Sequence, residues 1–256
     1  MPSGRTALTS QLVSTAECTT DATFASATLP VATAQELDSG NIRVLNWNTQ
    51  KGAQSGMHDD LARFGNQADL ILLQEAAVHL TQKTRLEQDM QWVFGQGYQD
   101  TGVMTVSRVV PLSFCSLSAW EPWLRSPKVT NITSYGLSDT DDDLLVINLH
   151  LINFTLGVKA FRSQLLQATN IIEQHAGPVI ISGDFNTWSR GRSALVNDAL
   201  TRLGMRAIVF DHDQRTRYFG RPVDHLYMRG IQPVEATSHA VSSSDHNPFT
   251  VVLEVL

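Results

Sequence analysis

Residues 158–186 read VKAFRSQLLQATNIIEQHAGPVIISGDFN, and this stretch decides the fold class. Val158, Phe161, Leu165, Thr169 and Ile172 recur at intervals of three and four, which lines one face of a helix over residues 158–175. Gly177-Pro178 supplies the stop. Residues 179–182 then read as a short buried strand, and 194–203 as a second helix. Working outward, strands are expected at 42–47, 69–74, 103–107, 112–117, 128–135, 144–151, 223–228 and 249–255. Shorter helical patterns cover 59–66 and 77–93. Several strands follow one another with no helix between them, so a strictly alternating doubly wound sheet fits poorly. One α/β domain with two sheets over residues 41–256 is the economical reading. Residues 1–40 are rich in Ala, Ser and Thr and carry no sustained period. They read as a poorly patterned lead-in with a candidate docked segment at 24–31.

Composition bounds the function. The chain has 256 residues, 42% hydrophobic and 17% charged, which excludes a wholly disordered or collagen-like protein. No apolar run approaches the ~18–20 residues needed to span a bilayer, so integral membrane association is not expected. Nineteen basic against 25 acidic residues leave a formal charge of −6, which argues against wrapping nucleic acid by bulk charge. An enzyme that touches phosphates locally is still compatible. The two cysteines, Cys18 and Cys115, form no CxxC pair, and a reduced, cytoplasmic chain is the expectation, with no apolar core of a secretory signal. The acidic run 139–143 begins D-x-D, but Leu144 and His150 occupy the Gly and Glu offsets of a calcium loop, so it reads as a solvated hairpin tip.

The chemistry-bearing residues gather at strand ends. Asn48 and Gln50 follow the first regular strand, and Gln74-Glu75 end the second. His150 and Asn153 close the strand ending near residue 150, while Asp184 and Asn186 follow 179–182. Asp224 and His225 begin a later strand, and Asp245-His246-Asn247 precedes the last. A lone carboxylate at such a place is usually a cap or turn residue. Six sites mixing carboxylate, amide and imidazole supply hard oxygen ligands for Mg²⁺ or Mn²⁺, and imidazoles able to hold or protonate a phosphate. Strand alternation sends His225 to the face opposite Asp224, where a satisfied buried histidine is the expectation.

WNTQKG at 47–52, LLQE at 72–75, GVMTVSR at 102–108, INLHL at 147–151, SGDFN at 182–186, VDHLY at 223–227 and SSDHNP at 243–248 resemble, in order, the motifs of the endonuclease/exonuclease/phosphatase superfamily. That superfamily includes DNase I, abasic-site endonucleases, neutral sphingomyelinases and inositol-polyphosphate 5-phosphatases. GVMTVS, NFTLG and YFGRP are similar to segments of one bacterial branch. The resemblance implies a four-layer α/β sandwich, with two mixed sheets face to face and helices outside. It implies Mg²⁺- or Mn²⁺-dependent hydrolysis of a phosphoester, with Glu75, Asn48 and Asp245 as the metal site. Asp184 matches the residue that orients or deprotonates water, and Asn186 the amide on a phosphate oxygen. His246 matches the imidazole on the scissile phosphate, and Asp224 the carboxylate that fixes its tautomer. His150 resembles a second histidine whose carboxylate partner has no visible position in the sequence.

Phosphate contacts are expected from among Arg108, Arg125, Lys128, Arg190, Arg192, Arg217 and Arg221, with Arg190 and Arg192 best placed just beyond SGDFN. Trp188 and Asn153 are further candidate substrate residues, Trp188 either stacking on a base or covering the core. The leading expectation is a monomeric phosphodiesterase acting on nucleic acid. A lipid or inositol phosphoesterase is the alternative, with Trp120 and Trp123 as the candidate membrane-facing loop, and a non-catalytic binding module on the same scaffold is a third reading.

Overall fold

The computed structural model describes residues 12–14, 36–80, 86 and 90–256. Among them, in chain order, the strands are β1 (Leu12–Ser14), β2 (Ile42–Asn48), β3 (Leu70–Ala77), β4 (Gln91–Gln96), β5 (Thr101–Ser107), β6 (Ser113–Trp120), β7 (Pro127–Gly136) and β8 (Asp143–His150). They continue with β9 (Val179–Asp184), β10 (Arg206–Ala207), β11 (Arg217–Tyr218), β12 (Arg221–Pro222), β13 (Asp224–Arg229), β14 (Ile231–Ser238) and β15 (Phe249–Val255). One sheet has the order β1-β4-β5-β3-β2-β15-β14 and the other β10-β13-β9-β8-β7-β6, while β11 and β12 form a separate hairpin. Parallel pairs β1–β4, β2–β3 and β8–β9 stand among antiparallel ones, so both sheets are mixed.

Alternation along the strands builds the layers. Ile42 and Val44 of β2, Leu70 and Leu72 of β3, Leu144 and Val146 of β8, and Leu226 and Met228 of β13 share one buried cluster between the sheets. The intervening Leu45, Trp47, Ile71 and Leu73 pack on the other side, with Met57, Leu61 and Phe64 of the Met57–Gly65 helix. On the second sheet, Leu145, Ile147, Leu149 and Ile181 meet Phe161, Leu165, Ala168 and Ile172 of the Lys159–Gln174 helix. The result is the expected four-layer α/β sandwich.

Following the inward face of each strand from one end to the other, apolar residues give way to polar ones. Asn46 of β2 accepts from Ser182 Oγ of β9 at 3.0 Å, and Gln74 Nε2 of β3 donates to Asn148 Oδ1 of β8 at 2.7 Å. Asn148 Nδ2 donates to Met104 O at 3.0 Å, and Asn131 Nδ2 to Val103 O at 2.9 Å. These buried groups join the two sheets, and the next inward position on β2, β8 and β9 is Asn48, His150 and Asp184.

Some expectations are corrected. The helix expected over 77–93 does not begin at Ala77, which still belongs to β3, and its far end is strand β4. Residues 81–85 and 87–89, like the candidate docked segment 24–31, lie outside the described residues. Strand β14 has no counterpart in the sequence reading, because its alternation is interrupted at a register shift between Pro233 and Glu235. The helix expected over 194–203 begins earlier, at Arg190, because Ser189 Oγ accepts from the Arg192 backbone N–H at 3.3 Å and caps it. Two parts of the expected lead-in are built into the fold: β1 pairs with β4, and Leu37 is buried in the inter-sheet cluster. Cys115 is disulfide-bonded, not reduced, and the chain's other cysteine, Cys18, lies outside the described residues. This removes the redox argument for a cytoplasmic setting. No described helix is long and apolar enough to cross a membrane.

Asn148→Leu should lower the free energy of unfolding by about 1–3 kcal/mol, because it removes the Gln74–Asn148 bridge between the sheets and the donor to the Met104 carbonyl, while Gln74 Nε2 keeps Asn46 Oδ1 and Leu72 O. Urea denaturation measures this, and a loss under about 0.5 kcal/mol would show that the polar bridge contributes nothing to holding the sheets.

Candidate active site

The inward alternation carries Asn48, His150, Asp184 and Asp224 to one edge of the sandwich, and the segment before β15 adds His246. Gly183 makes this possible on β9. Its φ is +146°, and a Cβ there would lie 1.9 Å from the Leu149 carbonyl oxygen, so β8 and β9 can pair up to His150 and Asp184 only with glycine at this place. Glu75 reaches the same edge by a different device. Alternation after Gln74 would turn it away, but the register shifts between Leu73 and Ala76 and Glu75 has φ +47°. The bulge re-aims the carboxylate.

Asp184 is the hub. Its Oδ2 accepts from Asn48 Nδ2 at 3.0 Å and its Oδ1 from the Asn186 backbone N–H at 2.9 Å. His150 Nε2 is 3.4 Å and His246 Nε2 4.0 Å from the same Oδ2. Burial raises the Asp184 carboxyl to about 6, although the neighbouring His246 draws it down. Burial alone would make His246 less basic, but Asp224 Oδ2, 2.8 Å from Nδ1, holds its pKa up at about 10. His246 is therefore an imidazolium, held through Nδ1 by Asp224 with its Nε2 4.0 Å from Asp184.

The nearest group to His150 Nε2 is Lys128, with the Asp184 carboxylate 3.4 Å from the same nitrogen. Lys128 Nζ donates to His150 Nε2 at 2.9 Å, and Glu75 Oε1 is 4.0 Å from that nitrogen. Burial first, then the charges of Lys128 and His246, push the His150 pKa well below its usual value, so the ring is neutral. Tyr218, unremarked in the sequence, lies with its ring 6.2 Å from that of His246. Burial and then the charges of Asp245, Asp184, Asp224 and Glu75 raise its phenol pKa.

Ligand atoms of Asp184, Asp224 and His246 lie within 4.8 Å of one another, and all three residues are buried. An imidazolium has no lone pair to give a metal, so His246 is a hydrogen-bonded neighbour here and only the carboxylate oxygens are candidate ligands. Asp224 Oδ2 is engaged by His246, while its Oδ1 is buried with no hydrogen-bond partner among the described residues. Concentrated carboxylate oxygens of this kind suit a hard divalent cation. Beside them a cavity of about 390 Å³ is lined by Glu75, Lys128, His150, Asn153 and the β4–β5 turn.

The residues expected to bind substrate divide. Arg190 is exposed at the start of its helix. Arg192 does not reach the cleft: it is 1% exposed, donates to the carbonyls of Ile152, Asn186 and Asn153, and lies 4.5 Å over the Trp188 ring. It is a clamp on the loops. Trp188 is half-buried and donates to Asn153 Oδ1 at 2.9 Å, so both residues brace the cleft wall. Asn186 is buried with its amide donating to Leu151 O. Arg108 is held on the Asn66 and Ala68 carbonyls and Arg217 on Asp213. Glu121, also unremarked in the sequence, is 1% exposed and accepts from the backbone N–H groups of Asn153 and Phe154. His225 packs away from the site on Phe185 and Tyr227, as alternation requires.

A family model described as the endonuclease/exonuclease/phosphatase family matches residues 45–246. The chain belongs to that family. It is 35% identical over 221 residues to a UPF0294 protein of Vibrio parahaemolyticus, covering 84% of this chain and 78% of the relative. Among solved structures it is similar to the human Nocturnin catalytic domain with bound sulfate anion, at TM-score 0.66 and 17% identity, over 87% of this chain and 96% of that one. It is also similar to D. rerio TDP2 complexed with single strand DNA product, at TM-score 0.61 and 17% identity, over 84% and 99%. These likenesses establish the shared fold. As a member of this family the chain is a metal-dependent phosphoesterase in class, a hydrolase of ester bonds.

Two outcomes follow. Arg192→Ala should cost about 3 kcal/mol, since it strands three carbonyls and removes the stack on Trp188, whereas Arg190→Ala should cost under about 0.5 kcal/mol; chemical denaturation separates them. The second concerns His225. Its Nε2 lies 2.6 Å from Thr187 Oγ1 and 3.1 Å from the Pro222 carbonyl, and burial followed by Arg215 lowers its pKa to about 3. Arg217 adds to the lowering, while Asp213 and the Pro222 bond oppose it. The folded pKa lies below the unfolded one, so stability is fully present above about pH 6.5 and is lost as pH falls toward about 3, by at most about 1.4 kcal/mol per unit. Subtracting the profile of His225→Gln isolates this slope, and parallel profiles would remove His225 as its source.

Proposed function

We propose that the protein hydrolyses a phosphodiester by attack of water, with Mg²⁺ or Mn²⁺ held by Glu75, Asn48 and Asp245. The observation that carries this reading is the buried Asp184 carboxylate set between the Asn48 amide and two imidazoles of opposite charge state. A divalent ion in such a site supplies stabilisation of negative charge on the phosphoryl and leaving oxygens. The protein's own groups do the remaining work. Asn48 and the Asn186 N–H fix the orientation of Asp184, whose raised pKa suits it to take a proton from the attacking water. Asp224 keeps His246 protonated and aimed, so its Nε2–H is directed at a phosphoryl oxygen. Lys128 holds the His150 ring in place and adds positive charge on the other side of the phosphate. Asn153 and Trp188, braced by Arg192, form the wall against which the substrate lies.

For the substrate, nucleic acid is the first choice, cut within the strand or from an end, with Arg190 and Lys128 as the cations nearest the phosphates. A lipid or inositol phosphodiester is the second reading, and one observation favours it: the cavity is bordered by exposed apolar side chains, not by a row of arginines.

The test is hydrolysis of bis-p-nitrophenyl phosphate, single- and double-stranded DNA, RNA and phospholipid vesicles, with and without Mg²⁺ or Mn²⁺. Metal-dependent turnover of at least one is expected. Asp184→Asn and His246→Ala should each lower kcat by about 10²–10⁴ with the fold intact by circular dichroism. Turnover that survives chelation, or that both variants retain, would refute the assignment.

A further inference from the structure

Two loops on the far side of the cavity carry the densest exposed apolar surface near the site. Trp120, the last residue of β6, is 66% exposed, and Trp123 and Leu124 in the turn that follows are 61% and 58% exposed; in the segment after β8 Phe154 is 54% exposed and Leu156 77%. Large side chains are left in water at this density only where something else covers them. The loops form one rigid unit. Glu121 Oε1 accepts from the Asn153 and Phe154 backbone N–H groups at 2.8 and 2.7 Å, and Oε2 accepts from Ser126 Oγ at 3.0 Å. The buried carboxylate, at the base of the first loop, therefore staples it to the segment after β8.

Charge selects the occupant. In the two stretches 118–128 and 151–159 the charged residues are Glu121, Arg125, Lys128 and Lys159. Glu121 is buried and consumed by the staple, so the exposed charges of these two stretches are Arg125 and Lys159, with Lys128 half-buried against His150, in a chain whose net charge is −6. One tryptophan at a strand end and one in the adjoining turn, aliphatic and aromatic neighbours, and cationic side chains are the composition that seats at the headgroup level of a bilayer with anionic lipid. Leu124 and Phe154 also line the mouth of the cavity beside Glu75 and His150, which ties this surface to the catalytic edge.

From these observations we propose that the 120–126 and 153–156 loops are an interfacial docking surface for an anionic membrane, with the cleft opening at the bilayer surface. The proposal concerns docking alone and holds whichever phosphodiester is cleaved, so it stands or falls separately from the chemistry.

Co-sedimentation of the full chain with equimolar phosphatidylglycerol/phosphatidylcholine vesicles tests it. Wild-type protein should bind, with a partition coefficient at least tenfold above that on pure phosphatidylcholine, and 0.5 M NaCl should reduce it severalfold. Trp120→Ala/Trp123→Ala should lose at least tenfold in partition while hydrolysing bis-p-nitrophenyl phosphate like the wild type. Val234→Ala, a remote exposed apolar position, should change nothing. Because the double variant has to fold for this comparison, a second measurement uses the wild type: bromine-labelled acyl chains should quench its tryptophan fluorescence on binding. Absence of vesicle binding, or binding equal in the wild type and the folded double variant, overturns the proposal. So does quenching no greater than with unlabelled lipid. If the double variant instead loses single-stranded DNA binding, or abolishes a concentration-dependent dimer in sedimentation velocity, the occupant is nucleic acid or a second copy and the proposal is equally overturned.

Discussion

The site depends on one constraint: the two sheets must be held face to face at the edge where the sandwich turns polar. Apolar packing secures the opposite end, where Ile42, Val44, Leu70, Leu144 and Phe249 exclude water. Toward the catalytic edge the same inward positions become Asn46, Gln74, Asn148 and Ser182, and their bonds run from sheet to sheet. A hydrogen bond between buried amides is directional, so it sets separation and register where hydrophobic contact alone would tolerate sliding. The Asn48–Asp184 bond is the last rung of this ladder and the first element of the chemistry. The structural row of side chains runs directly into the residues proposed for catalysis.

The electrostatics follow from that burial. A carboxylate removed from water resists ionisation, and Asp184 does so until its pKa stands near 6. Two histidines a few ångströms away are driven in opposite directions, His246 up by Asp224 against its burial, and His150 down by burial first and then by Lys128. One ring is a fixed cation and the other a neutral base, although the free imidazoles are identical. Such divergence lets two copies of one residue take different roles around a single phosphate.

Much of this was legible in the chain. Strand alternation placed Asp224 inward and His225 outward, and the six strand-end clusters marked the catalytic edge. The spacing of Phe161, Leu165 and Ile172 marked a helix that the structure bears out over Lys159–Gln174. What stayed hidden shares a common cause. Arg192 looked like a phosphate ligand because a sequence shows charge without showing what lies beside it; here three carbonyls and a tryptophan ring surround it. Lys128 stood among seven candidate cations, and nothing along the chain distinguished it as the neighbour of His150, 22 residues away.

By itself, then, the sequence determined the class of fold, the edge on which polar chemistry collects and the types of group available there, because period and composition are local properties. The tertiary structure decided which groups meet. The bulge that turns Glu75 toward the cleft, the glycine that lets β9 bring Asp184 beside His150, and the Glu121 staple that raises an apolar rim all arise from contacts between distant segments. Those contacts exist only once two sheets are packed together, and no periodicity within either one encodes them.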